Sequence, residues 1–213
     1  MKAKFMEVWR GIEAEGPRDW WENEPEKKKR ENRKPKKGGA KVGAGRDESG
    51  DWPLVRGGTV TKSDAGYTLS GGGEAFALQP LDPPLTGDGR AVFTVSYQSA
   101  AANVTRNAMF CFGAKPENDD LIKAGTAIGM GQHVVFEGGW GNVGTGAEGR
   151  GEFEVDDRMH AKVTVDLGKR ECVLEVGGVK VVQKLPESVD AVRHFGIYTK
   201  ATASVFSEIG VER

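Results

Sequence analysis

From Trp52 to the C-terminus, short apolar runs alternate with clusters of Gly, Pro, Asp and Asn, and the runs repeat with a period of two. Met159–Leu167 is the cleanest case. Ala161, Val163, Val165 and Leu167 share one side, while His160, Lys162, Thr164 and Asp166 share the other. A helix repeats every 3.6 residues and cannot sort residues this way; a half-buried strand does. Arg90–Gln98 repeats the pattern, with Phe93, Val95 and Tyr97 opposite Thr94, Ser96 and Gln98. Ala108–Phe112 is apolar on both sides and reads as a central strand. Gly177-Gly178 between two such runs reads as a hairpin turn. Further short strands are expected at Thr59–Thr61, Tyr67–Leu69, Ala75–Leu78, Thr126–Met130, His133–Glu137 and Val179–Leu185, and around Phe195-Ile197 and Phe206-Ile209-Val211. Pro80, Pro83 and Pro84 mark a loop, and residues 138–151 a glycine-rich one. No helix of ordinary length is expected after residue 50, so the body is all-β, a sandwich or barrel. The 31 glycines of the 213-residue chain, with no fixed repeat, fit its many turns.

The N-terminal part differs. Phe5, Val8, Trp9 and Ile12 form one stripe at helical spacing, so residues 2–15 read as an amphipathic helix stopped by Gly16-Pro17. Trp20 and Trp21 extend that adhesive surface, which a partner or a second copy could cover. Residues 24–50 read as a flexible basic linker without apolar periodicity, giving segments 1–23, 24–50 and 51–213. Between residues 24 and 46 there are ten Lys/Arg against three Glu, whereas residues 47–213 hold 16 Lys/Arg against 23 Asp/Glu. An acidic body argues against a dedicated nucleic-acid-binding fold. No stretch reaches the roughly 20 apolar residues of a membrane span. Glu7, Arg10 and Glu13 interrupt any secretory apolar core, so a protein starting at Met1 is expected in the cytoplasm, while a fragment of a longer, secreted protein is not so constrained. Cys111 and Cys172 each sit in a strand-like run, as two buried thiols or one inter-strand disulfide.

The closing third has a recognisable order. His160-Ala-Lys-Val-Thr-Val-Asp-Leu is followed by a Gly-Lys turn and Cys172-Val-Leu-Glu-Val-Gly-Gly. Arg193-His-Phe-Gly-Ile-Tyr and a final Phe206-Ser-Glu-Ile-Gly-Val complete it. This resembles the last strands of concanavalin A-like lectin/glucanase domains, especially bacterial laminin-G-like modules. The resemblance implies a two-sheet antiparallel jelly-roll sandwich over residues 52–213. The first 35 residues, with Glu15-Gly-Pro-Arg-Asp-Trp-Trp and a basic tail, resemble the C-terminal end of bacterial arylsulfatases. The sulfatase nucleophile motif is absent, so that resemblance implies an accessory module and not the enzyme.

Three functions compete. The first is a non-catalytic module that binds a glycan or a protein. Trp140 among glycines offers a flat ring for a sugar, with Asn142, His133 and Glu137 as polar contacts. The second is a glycoside hydrolase. Such enzymes place acids on one side of a strand, and Glu152, Glu154 and Asp156 alternate as that requires, although the third acid of the usual Glu-x-Asp-x-x-Glu spacing is missing. The third is a structural or interaction module acting through the N-terminal helix. No cofactor is implied beyond calcium, for which Asn118, Asp119 and Asp120 supply oxygens in one loop, fewer than the six to eight that calcium takes. Gly139–Gly144 satisfies G-x-G-x-x-G, but the glycines that follow cannot open the helix a phosphate site needs. His133, His160 and His194 show no metal-ligand spacing, and no Ser/His/Asp or Cys/His arrangement stands out.

Overall fold

A computed structural model describes residues 42–99, 108–127, 133–137, 148–150, 158–200 and 202–213. They fall within one compact unit, Ala40–Arg213. The helix expected at 2–15 and the basic segment as far as Lys41 lie outside the described residues.

The alternating runs form two sheets. The eight-stranded sheet consists of β1 (Arg46–Asp47), β3 (Thr59–Ser63), β4 (Gly66–Ser70), β6 (Arg90–Ser99), β11 (Met159–Asp166), β12 (Glu171–Val176), β13 (Val179–Lys184) and β15 (Ala203–Glu212). Its spatial order is β1-β3-β4-β15-β6-β11-β12-β13. The seven-stranded sheet consists of β2 (Leu54–Arg56), β5 (Glu74–Thr86), β7 (Ala108–Gly113), β8 (Ile122–Ala127), β9 (His133–Glu137), β10 (Glu148–Arg150) and β14 (Ala191–Lys200), in the order β10-β9-β8-β7-β14-β5-β2. Only β1 pairs parallel, with β3; every other ladder among the described residues is antiparallel. The expected all-β sandwich is what the chain forms.

The core lies between the sheets. Phe93 of β6 faces Phe110, Phe112 and Phe195 of the other sheet, with ring centroids 5.0, 6.3 and 5.5 Å away. Val163 and Val165 of β11 and Cys172 and Leu174 of β12 fill the same layer, as their alternation requires. The seven-stranded sheet is also apolar on its other face, where Phe76, Leu78, Met109, Cys111, Leu121 and Tyr198 form a second buried cluster against Val42 and Leu54. Hence β7 is buried at every position, as a strand apolar on both sides must be. Cys111 and Cys172 sit in different clusters on different sheets and are free thiols, so no disulfide joins them.

Three sequence boundaries move. The flexible linker was expected to reach residue 50, yet Val42–Gly50 belongs to the sandwich. Arg46 and Asp47 pair with Thr59 and Val60, and the Gly57 N–H donates to Gly43. The Asp47 carboxylate accepts the backbone N–H groups of Ser49 and Trp52 and anchors this entry. Pro80–Pro84 was expected to be a loop, but β5 continues through it. The register on β14 jumps there from Pro80 opposite His194 to Leu85 opposite Val192. The intervening residues bulge away, where prolines withhold no ladder N–H. Glu148–Arg150, expected within the glycine-rich loop, is a strand on β9.

Candidate functional site

Alternation along β6 and β11 turns Thr94, Ser96, His160 and Lys162 to the outer face of the eight-stranded sheet. The strands are neighbours, with Ser96 opposite His160 and Thr94 opposite Lys162. On the other flank of β6 lies β15, where Ser207 stands opposite Ser96 and Gly210 opposite Thr94. The two residues between them, Glu208 and Ile209, oppose only Val95, so the strand is bulged. Ile209 packs inward against the core. Glu208 adopts φ 52°, a left-handed conformation uncommon outside glycine, and its carboxylate reaches Ser96 and His160.

Thr94, Ser96, His160, Lys162 and Glu208 line a surface groove of about 300 Å³. A side chain at Gly210 would crowd it, because a Cβ there would lie 2.9 Å from Thr94 Oγ1. Ser96 forms the floor at 2% exposure. Its hydroxyl donates to Glu208 Oε2 and lies 2.7 Å from His160 Nδ1; that nitrogen is 3.3 Å from the same carboxylate. Serine has one proton to give. With it on Glu208, His160 Nδ1 is the donor to Ser96 Oγ, and Nε2 is left for solvent or a ligand. Arg158 donates to Ser207 Oγ beside the groove. The hydrogen bond from Ser96, helped by the charges of His160 and Arg158, holds the Glu208 carboxyl below its ordinary value of 4.5.

A serine, a histidine and a carboxylate in contact invite comparison with a nucleophilic triad, and the geometry rejects it. A triad histidine takes the serine proton on one nitrogen and holds the acid with the other. Here the serine proton points at the acid, one nitrogen serves both neighbours, and the serine is buried. The cluster instead presents donors and acceptors to the groove: His160 Nε2 and the second oxygen of Glu208, both held through Ser96, with the Thr94 hydroxyl and the Lys162 ammonium beside them. That set suits a ligand rich in hydroxyl groups.

Of the residues chosen from sequence, the described ones lie away from this groove. Trp140 and Asn142 lie outside the described residues, as do Glu152, Glu154 and Asp156. His133 and Glu137 stand on β9 of the other sheet. Asn118, Asp119 and Asp120 form a short 3-10 turn. The Asn118 amide donates to Glu74 Oε2 at 2.6 Å, and the two aspartates are exposed. Among the described residues no group of three His, Cys, Asp or Glu side chains gathers as a metal site. The groove itself was half visible in sequence. The outward sides of β6 and β11 were read correctly, but Ser96 is 64 residues from His160 and 112 from Glu208. One local signal did exist. Phe206, Ile209 and Val211 break the period of two, and that break is the bulge that re-aims Glu208.

No protein-family model matches the chain, and no curated protein matches it. Solved structures do share its architecture. The carbohydrate-binding module CBM66 from Bacillus subtilis superposes with a TM-score of 0.56 at 15% identity, over 73% of this chain and 92% of that one. The potassium-bound carbohydrate recognition domain of Emp46p gives 0.51 at 12% identity, over 74% and 87%. The fold is a jelly-roll β-sandwich. Trypanosoma rangeli sialidase, bound to 2,3-difluorosialic acid, shares the jelly roll at a TM-score of 0.50 and 13% identity, but the match spans only 27% of that chain. At these identities the shared feature is the fold alone. The arylsulfatase-like first 35 residues lie outside the described residues, and no family model or curated protein supports that resemblance.

Proposed function

We infer that this chain is a non-catalytic carbohydrate-binding module whose ligand occupies the groove of Thr94, Ser96, His160, Lys162 and Glu208. The observation that carries this reading is the placement of Glu208. A bulge and a left-handed backbone cost free energy that a regular strand end would avoid, and such strain collects at functional positions. What it achieves is a carboxylate fixed by Ser96 and His160 with one oxygen left for a ligand. Paired donors and acceptors on rigid strands are how a site orients hydroxyl groups. Lectin-type neighbours in fold support the same reading.

A hydrolytic role needs two carboxyl groups roughly 5–9.5 Å apart across the sugar. Among the described residues Glu208 is the one carboxylate lining the groove, so the binding reading is preferred. The test is a glycan array probed with the full chain, with and without calcium, alongside Glu208→Ala and His160→Ala. Binding is expected in the parent and lost in both variants while their thermal midpoints hold. A parent that binds no glycan, or variants that bind as well as the parent, would refute the assignment. Release of reducing ends from a bound glycan would replace it with the glycosidase reading.

A further inference from the structure

The groove lies in an acidic body but is locally basic. Residues 47–213 hold 23 Asp/Glu against 16 Lys/Arg. On the outer side of β11 and its lead-in, however, Arg158, His160 and Lys162 follow one another at alternate positions, all exposed. At the rise of a strand they span roughly 13 Å. The acids around them are largely committed. Glu208 is held by Ser96 and His160, with Arg158 nearby. Glu175, which stands across from Lys162 on β12, is paired with Lys180 on its far side at 3.5 Å. Asp166 is paired with Lys169 at 3.6 Å. Among the described residues the Lys162 ammonium makes no hydrogen bond or ion pair, although it lines the groove. A cation left without a partner beside oriented hydroxyl-binding groups selects for negative charge on the ligand.

Resting on the carbohydrate reading above, we propose that the ligand is an acidic saccharide. Its carboxylate or sulfate group is bound by Lys162, and its hydroxyls are oriented by Glu208 and by His160 Nε2. Arg158 at the other end of the row favours a second anionic unit further along the chain, so a repeating polyanionic glycan fits better than a single charged sugar.

The test titrates the full chain with oligogalacturonate, with the same oligosaccharide methyl-esterified, with dextran sulfate and with dextran. The parent is expected to bind at least one anionic saccharide about fivefold more tightly than its neutral counterpart, the scale of one exposed ion pair, and to lose that preference at high salt. Comparing oligogalacturonate with dextran sulfate decides between carboxylate and sulfate. Lys162→Gln should abolish the preference and Lys162→Arg should keep it. The side chain is exposed, so both variants should melt with the parent. Equal affinity for charged and neutral forms overturns the proposal, as does a preference that survives Lys162→Gln. If the array shows only neutral glycans bound, and His160→Ala still abolishes that binding, the charge proposal falls and the carbohydrate reading stands. Silence on the array and in every titration removes both.

Discussion

Gly196 lies on β14, opposite Leu78 of β5, in the Phe195-Gly196-Ile197 run. A Cβ at this position would sit 1.9 Å from the Ala77 carbonyl oxygen, 2.9 Å from its carbon and 3.0 Å from Leu78 Cα. All three are backbone atoms of the paired strand, so no rotamer change can relieve the contact. Gly196→Ala must push β14 and β5 apart by about 1.5 Å to reach ordinary contact, and doing so stretches the ladder from Ala191 to Lys200. β14 also carries Phe195 into the ring cluster and Tyr198 into the second one. Overpacking alone costs about 1–3 kcal/mol, and each weakened ladder bond adds to it. A loss of about 3 kcal/mol or more is expected, a large share of the usual 5–15 kcal/mol of a domain. Urea unfolding followed by tryptophan fluorescence measures it. Gly73→Ala is the control, because nothing lies within 4 Å of a Cβ there, and it should stay within about 0.5 kcal/mol of the parent. A Gly196→Ala variant within 1 kcal/mol of the parent would refute the close approach of these strands.

Phe93→Ala empties the centre of the inter-sheet ring cluster and should cost about 4 kcal/mol in the same assay. Burial pushes both the Cys111 and the Cys172 thiol up to about 12, so neither should react with a thiol reagent at pH 8 until the chain is unfolded, when two equivalents appear. Burial alone would raise the Glu74 carboxyl, but Lys123, Lys200 and the Tyr198 hydroxyl outweigh it and hold it below 4.5. The folded value is therefore lower than the unfolded one. Its stabilisation is complete above about pH 4.5 and is lost as pH falls through the depressed value, so the urea midpoint of Glu74→Gln should trail the parent at pH 7 and converge with it on acidification.

What sequence reading reached, it reached by local geometry. The period of two in Met159–Leu167 and Cys172–Val176 made β11 and β12 legible, and Gly177-Gly178, with φ of 55° and 79°, turns the hairpin as its composition announced. The same rule assigned His160 and Lys162 to the outer face. It failed where pairing rewrote local preference. Three prolines were absorbed into a bulged strand, three residues of a glycine-rich stretch were drawn onto β9, and nine residues of an apparent linker were captured by the sheets. In each case a neighbouring strand supplied hydrogen bonds that local sequence does not reveal.

The amino-acid sequence by itself determined that this body is built of strands, which side of each faces the core and where most hairpins turn, because those follow from side-chain alternation and turn chemistry within a few residues. Only the tertiary structure decided that β6 lies between β11 and β15. That adjacency assembles Ser96, His160 and Glu208 from distant segments, and a one-residue bulge then reverses the side on which an acid emerges. Such adjacency is set by which long-range pairing buries the shared core best, a comparison made over the whole chain and written in no single stretch of it.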